Sequence, residues 1–510
     1  MVALGWAVSL ALFSVILFAF YLVHTPIAVA TLISLGLTLV LVAVGAYVLC
    51  RARGARGYQL RALDTERGVT MTTIAGLGIA STQVALSSWM AWHSPLAGYD
   101  AWALWSMKAR MFAAGGPSLS YFTVSSATHP EYPLNLPLAE AALFHISNTL
   151  GLQLAALIGP ACLGALLLLF YCGLTRLYGR GAAAVATGLL SLVPILTTQA
   201  SLGYADVPLT MYAGGASLYL LLWWRLRHSI DAVFMGILAG CAMWTKKEGS
   251  IIAALVVLAY CLGEMLPAER LRPKRLRNVA QVIVVTVALP LPWLLFTAVH
   301  HSPTSDFLPL TPHVFLAHVD RLPQILLFLM SQLTTFSEFG LFWVGLIGAL
   351  ILAARRLSRH GYGLLLILLG QLGIYAVSFV FSAWDPYIGH VTTALYRLVM
   401  QAVPLALLLL AEVTYALGTA TRNRGHAADL SGGAEAGDGN GRTRPRADGR
   451  PRRGAQGAAS GTGGTGVWSN ASRLYGRSVR PAAIAGVRST QRRPVPMARR
   501  RRDSCTQHQL

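Results

Sequence analysis

Five short stretches hold the residues able to do chemistry, and each lies beside a long apolar run. In AGYDAWALWSMKARMF (97–112), a helix over 99–112 sets Asp100, Leu104 and Lys108 at four-residue intervals. The carboxylate and the ammonium then share a face about 12 Å apart. That is too far for an ion pair, and it suits a ligand with a polar group at one end and an anion at the other, such as a sugar on a phosphate. Trp102 and Trp105 would anchor the helix at headgroup level. The plainer alternative is an interfacial helix whose ends happen to be charged.

The second stretch, THPEYPLNLP (128–137), has three prolines and no helical period, so it reads as a rigid turn presenting His129, Glu131 and Tyr132. Next, SLGYADVPL (201–209) is a tight connection with one acid, Asp206. It is either a hydrated loop tip or, tucked into a bundle mouth, a functional carboxylate. The stretch MWTKKEG (243–249) places Lys246, Lys247 and Glu248 between two apolar blocks, where two lysines need compensation that a lipid-linked phosphate could provide. Last, HVTTALYRLVMQAVPLAL (390–407) puts Arg397 at the mouth of a final apolar run with Pro404 two turns deeper; snorkelling to headgroups is its ordinary explanation.

The elements that must position these residues are membrane helices. Of 510 residues, 55% are hydrophobic and 12% charged, and the mean hydropathy is +0.55. The apolar residues fall in blocks of roughly 17 to 25, the length that crosses a bilayer. About twelve such blocks predict an all-α polytopic membrane protein, with spans near 3–22, 27–50, 71–91, 152–174, 183–200, 207–225, 232–246, 250–266, 279–297, 337–354, 361–381 and 397–417. The first block lacks a small-residue cleavage site and reads as a retained helix. Cations concentrate in the connections 51–70, 175–182, 225–231, 267–278 and 355–360. The positive-inside rule makes these cytoplasmic, with both termini, and leaves the five stretches outside. Two long outer segments, 92–151 and 298–336, contain apolar pieces at 136–151 and 322–333 that read as helices lying in the interface.

The net charge of +21 divides unevenly: beyond residue 420, eighteen arginines and five acids account for thirteen of it. That Arg- and Gly-rich stretch has almost no aliphatic periodicity and predicts a disordered cytoplasmic tail near anionic headgroups, so no nucleic-acid partner is expected. The six cysteines form no CxxC or paired outer spacing, and the outer histidines His300, His301, His313 and His318 near Asp306 match no strong ligand motif. No metal ligand is assigned, and a role for a divalent metal is left open.

Taken in order, the five stretches resemble the multi-spanning glycosyltransferases of the GT-C fold, which include protein O-mannosyltransferases and aminoarabinose transferases using polyprenyl-phosphate sugars, and above all their bacterial mannosyltransferase-like members. The resemblance covers roughly residues 71–417. It divides the chain into two accessory helices and a basic loop (1–70), a GT-C-like transmembrane bundle (71–417) and the tail (418–510). It implies an integral protein of the cell (inner) membrane serving the cell envelope. The implied reaction moves a sugar from a polyprenyl-phosphate donor to a hydroxyl of a glycan, lipid or protein acceptor, with inversion, on the extracytoplasmic face. No cofactor beyond that lipid-linked donor is implied. Asp100 and Asp206 match the family's catalytic acids, and Lys108, Lys246 and Arg397 its donor-phosphate cations. His129, Glu131, Tyr132, Trp105 and Glu248 line the cavity. This chain departs from the pattern in having Asp100-Ala101 where many members have an acid pair, and no lysine after Glu131. The competing expectation is a transporter or a flippase for lipid or sugar-lipid, whose ionisable groups and broken helices would lie near mid-membrane.

Overall fold

Hydropathy decides which segments become long helices here. The structure is a computed structural model that describes residues 2–55, 70–124, 128–147, 149–266, 273–301, 306–353 and 355–435. Most of the expected tail, much of the basic connection 51–70 and part of 267–278 lie outside the described residues. Among the described residues the chain is all-helical apart from one isolated bridge, Phe307 to Ser382.

The principal helices in chain order are α1 (Val2–Leu22), α2 (Ile27–Ala55), α3 (Met71–His93), α4 (Ser106–Ala113), α5 (Asn135–Ile146), α6 (Ile158–Tyr178), α7 (Asp206–Leu226), α8 (Ser229–Thr245), α9 (Glu248–Met265), α10 (Pro273–Ala288), α11 (Leu322–Leu333), α12 (Arg359–Ser378) and α13 (Tyr387–Glu435). Among the described residues, eight helices are long and apolar enough to cross a membrane, or ten if two bent pairs each count as one span. The bent pairs are Arg180–Ser191 with Pro194–Ser201 (62°) and α10 with Leu291–His300 (61°). The protein is therefore an all-α polytopic membrane protein. The expected twelve differ for stated reasons. Ser229–Thr245 and Phe342–Ala353 are apolar but short, and α7 has the length without being among the eight.

Both expected interfacial helices exist, and the first is buried within the protein. Residues 135–142 of α5 are all buried, because its polar side chains Asn135 and Glu140 bond inward to Ser14 and Ser106, and it packs between α1 and α4. α11 continues the stretch Pro312–Leu333, which is apolar and long enough to cross a membrane by itself. The two helices of the expected accessory pair pack on each other but differ in their surroundings. α1 is bound into the core by Tyr212 Oη donating to the Ala7 carbonyl (2.8 Å) and by Ser14 Oγ donating to Asn135 Oδ1 (2.8 Å), whereas α2 is largely exposed.

α7 is the central post, buried along nearly its whole length. It packs on α6, α8 and α13. Close approach elsewhere depends on absent side chains: a methyl at Gly76 on α3 would meet the Ala184 carbonyl at 2.3 Å, and one at Gly240 on α8 would meet that of Thr286 on α10 at 2.4 Å. Small residues let helices approach where lipid tails provide no hydrophobic drive. α7 and α13 run in the same direction, with Asp206 near Arg397 at one end and Arg225 bonded to Glu412 at the other.

Candidate functional site

Polar side chains from four distant segments meet where α7 and α9 begin, beside Arg397 and Gln401 of α13. The expected helix over 99–112 is broken by a π turn, Ala101–Trp105, before α4 starts. The wider turn shifts the register, so the four-residue spacing of Asp100 and Lys108 is lost and the two side chains go to different partners. Asp100 Oδ2 accepts from Arg397 Nη1 of α13. The same guanidinium nitrogen lies 3.7 Å from Asp206 Oδ2, and its carbon lies 5.2 Å from the Tyr204 ring centroid.

Asp206, the first residue of α7, is fully buried, so it is no hydrated loop tip. Its Oδ1 accepts from Lys246 Nζ at 3.0 Å and from Gln401 Nε2 at 3.2 Å. Lys246 also reaches Glu248 Oε1 at 3.1 Å. Gln401 is held in turn, its Oε1 accepting from Tyr375 Oη at 2.7 Å. The result is one line of alternating charge, Asp100, Arg397, Asp206, Lys246, Glu248. Among the described residues, Asp206 Oδ2, Glu248 Oε2 and Arg397 Nε have no hydrogen-bond partner. Such open donors and acceptors cost free energy unless something else fills them.

Lys247 joins this line to a second group, donating from Nζ to Glu131 Oε1 at 3.0 Å. His129 Nδ1 lies 3.6 Å from Glu131 and 3.5 Å from Asp306, whose Oδ1 accepts from Trp384 Nε1 at 3.1 Å. His129 itself is in the left-handed region, φ 50°, an uncommon conformation for a residue with a side chain. Burial pushes the Glu131 carboxyl up, but the His129 ring and the Lys247 ammonium outweigh it and hold it at about 2. Lys108 is fully buried and donates to the His129 carbonyl. Its Nζ is 5.6 Å from the Trp105 ring centroid and 5.5 Å from that of Tyr132. Burial lowers its ammonium to about 7, against the pull of Glu131. Behind it, Ser106 Oγ donates to Glu140 at 2.9 Å, and burial raises that carboxyl to about 8 despite the hydrogen bond.

Nine of the ten expected residues therefore fall in the two groups as open or ion-paired side chains or as stacked rings: Asp100, Asp206, Lys246, Arg397, Glu248, His129, Glu131, Tyr132 and Trp105. Lys108 joins them as an enclosed support for the His129 turn. Compensation of Lys246 and Lys247 comes from the protein's own Asp206, Glu248 and Glu131. The site also includes residues missing from the expected set. Gln401 was findable, since it lies one turn after Arg397 on the same helix. Lys247 adjoins Lys246. Asp306 and Trp384 carried no motif, because tertiary contact alone brings Asp306 to His129 and Trp384 to Asp306. Among the described residues no group of three or more His, Cys, Asp or Glu has the arrangement of a metal site.

No family model matches the sequence, and no curated protein matches it. Among solved structures, the chain is similar to the Archaeoglobus fulgidus oligosaccharyltransferase in complex with zinc and sulfate. The TM-score is 0.41 at 16% identity, over 67% of this chain and 51% of that one. It is also similar to the oligosaccharyltransferase AglB of Archaeoglobus fulgidus in complex with an inhibitory peptide and a dolichol-phosphate. There the TM-score is 0.37 at 14% identity, over 72% of this chain and 52% of that one. The chain spans about half the length of these solved structures. A likeness this distant fixes neither substrate nor site, and the chemistry has to be argued from the side chains.

Proposed function

We propose that the protein is a membrane glycosyltransferase that moves a sugar from a polyprenyl-phosphate carrier to a hydroxyl of a glycan, lipid or protein acceptor. The observation that carries this reading is the shared guanidinium of Arg397. It stands between Asp100 and Asp206, with Lys246 on the far side of Asp206, so a base and two cations lie within one short line. Asp100 suits the base, because its side chain is 24% exposed against 0% for Asp206.

An incoming donor phosphate competes with Asp100 for Arg397. Released from Arg397, an Asp100 carboxylate oxygen is free to accept a hydrogen bond from the acceptor hydroxyl. The acceptor O–H then passes its proton to Asp100 while its oxygen attacks the anomeric carbon from the face opposite the phosphate. The carbon–oxygen bond to phosphate breaks, and the electron pair leaves with the lipid phosphate, opposite Lys246 and Arg397. A single displacement of this kind inverts the anomeric centre. A lipid carrier also accounts for a charged site at the ends of membrane-length helices. The five motifs' resemblance to GT-C enzymes of the bacterial mannosyltransferase-like group supports the same chemistry, and the positive-inside rule favours an extracytoplasmic site in the cell membrane.

The test is to incubate the purified full chain with a panel of polyprenyl-phosphate sugars and follow the free lipid phosphate. Wild type should release it with one member of the panel, and Asp100→Asn should not, with membrane insertion intact. Full activity in that variant removes Asp100 as the base. The second reading, a transporter or lipid flippase, is favoured by the two helix pairs bent by about 60°. Movement of the intact sugar-lipid across a vesicle membrane, without lipid phosphate release, would establish it instead.

A further inference from the structure

The far ends of α8, α9 and α10 enclose a second feature. A cavity of about 790 Å³ opens between the start of α8, the end of α9 and the start of α10. Glu248, in the charged line, and Glu264, at this cavity, lie sixteen residues apart on α9, about 24 Å along its axis. The cavity floor is aromatic and buried, with Trp223 4% and Tyr260 1% exposed. Its rim is cationic: Arg227, Lys274, Arg275 and Arg277 converge there.

Two of these cations are already engaged. Arg275 Nη1 donates to the Glu264 carbonyl at 2.9 Å, and Arg227 lies over Trp223, 4.4 Å from the ring centroid, with Nη1 3.4 Å from the Gly263 carbonyl. Both serve the open carbonyls at the end of α9. Among the described residues the one lining carboxylate, Glu264, accepts from Asn278 Nδ2 at 3.2 Å. Lys274 and Arg277 are exposed, and among the described residues neither has a hydrogen-bond or ion-pair partner. An ordinary solvated face would spread such cations around a helix. Here they border one concave space of ligand size, at the end of a helix able to cross a membrane.

We infer that this cavity binds the phosphate-bearing headgroup of an anionic membrane phospholipid. Lys274 and Arg277 meet the phosphate, and Trp223 and Tyr260 lie under the glycerol and first acyl carbons. Basic clusters at the ends of spanning helices attract anionic lipid with roughly 1 kcal/mol per cation, so removing two should weaken retention roughly tenfold or more.

The experiment places the full chain in vesicles of neutral phosphatidylcholine with one fifth phosphatidylglycerol, extracts it in mild detergent, and counts retained lipid by native mass spectrometry. Wild type should retain phosphatidylglycerol, and Lys274→Gln with Arg277→Gln should lose it with the thermal unfolding midpoint unchanged. A control pair, Arg180→Gln with Arg359→Gln, should retain it. Equal retention in wild type and the cavity variant overturns the inference. Equal loss in the control pair does the same, because attraction would then be unspecific. Displacement by millimolar inorganic phosphate would reassign the cavity to a free anion. None of these readouts uses the transfer reaction.

Discussion

An ion pair joins α13 to each end of α7, and the two ends are built on opposite terms. At one, Glu412 of α13 accepts from Arg225 Nε at 3.0 Å, from Arg225 Nη2, from Tyr178 Oη and from Ser358 Oγ at 2.8 Å, so both carboxylate oxygens are occupied. At the other, Asp206 leaves Oδ2 open and Arg397 leaves Nε open, although both are as deeply set. A fully bonded buried pair is a lock: its desolvation is offset by hydrogen bonds within the protein. A buried pair with open valences is poised for a ligand that completes it. The sequence signs are reversed as well, acid on α7 at the open end and cation on α7 at the closed end, so neither helix alone is distinguished as the functional one.

The largest expected effect comes from neutralising the open end. Asp206→Asn should lower lipid phosphate release by roughly a thousandfold, since it removes the group that holds Arg397 and Lys246 together. It should shift the unfolding midpoint less than a change at Glu412, because Arg397 keeps Asp100 and Lys246 keeps Glu248. Retained transfer in Asp206→Asn would make the open end a second lock and dissolve the contrast.

Glu412→Gln is the reciprocal change. It leaves Arg225, whose side chain is 26% exposed, without its anion; breaking a fully buried pair typically costs about 3–5 kcal/mol, and access of water to Arg225 puts the expected loss below that range. Thermal unfolding in detergent should show this as a clear drop, while transfer per folded molecule stays near wild type. A variant that kept its stability but lost transfer would place Glu412 in the chemistry.

Part of this arrangement was readable from sequence, and the reason is environmental. Asp100, Asp206, Lys246 and Arg397 stand out because a charge beside a long apolar run is costly and needs a reason. What sequence could not give was the pairing. Asp100 and Arg397 are 297 residues apart, and no local period links them. The π turn at Ala101–Trp105 was also invisible, since its composition suits an α-helix equally well, and with it went the expected shared face for Asp100 and Lys108. Apolar length likewise marks helices but not their surroundings. α5 and α11 both read from sequence as interfacial helices; α5 is buried against α1 and α4, and α11 belongs to a stretch that also has the length to span.

A third prediction uses pH to separate support from site. Glu140 is bonded to Ser106 of α4 and has its carboxyl raised to about 8, while an unfolded chain titrates this group near its ordinary 4.5. Between these values the folded protein holds a proton that the unfolded chain has lost. The stabilising contribution is complete below about 4.5, falls as pH rises, and is gone once pH passes about 8. Glu140→Gln keeps the neutral shape and should remove this part of the slope in unfolding midpoint against pH, with transfer little changed. An unaltered slope would mean that Glu140 is ionised in the folded protein and that Ser106 is supported by something else.

The smallest expected effect distinguishes two adjacent lysines. Lys246 is 8% exposed and bonded within the charged line, whereas Lys247 is 42% exposed and meets Glu131 at the edge. Exposed ion pairs contribute roughly 0 to 1 kcal/mol. Lys247→Gln should therefore leave stability within about 1 kcal/mol of wild type and transfer within roughly fivefold, because Glu131 still faces His129. Lys246→Gln, by contrast, strands Asp206 with only Arg397 and Gln401 and should approach the loss seen with Asp206→Asn. Equal losses from the two lysine variants would extend the reacting centre through Glu131 to His129 and Asp306. The contrast between the two ends of α7 and α13 would then involve the whole charged mouth, with Asp206 only one of its parts.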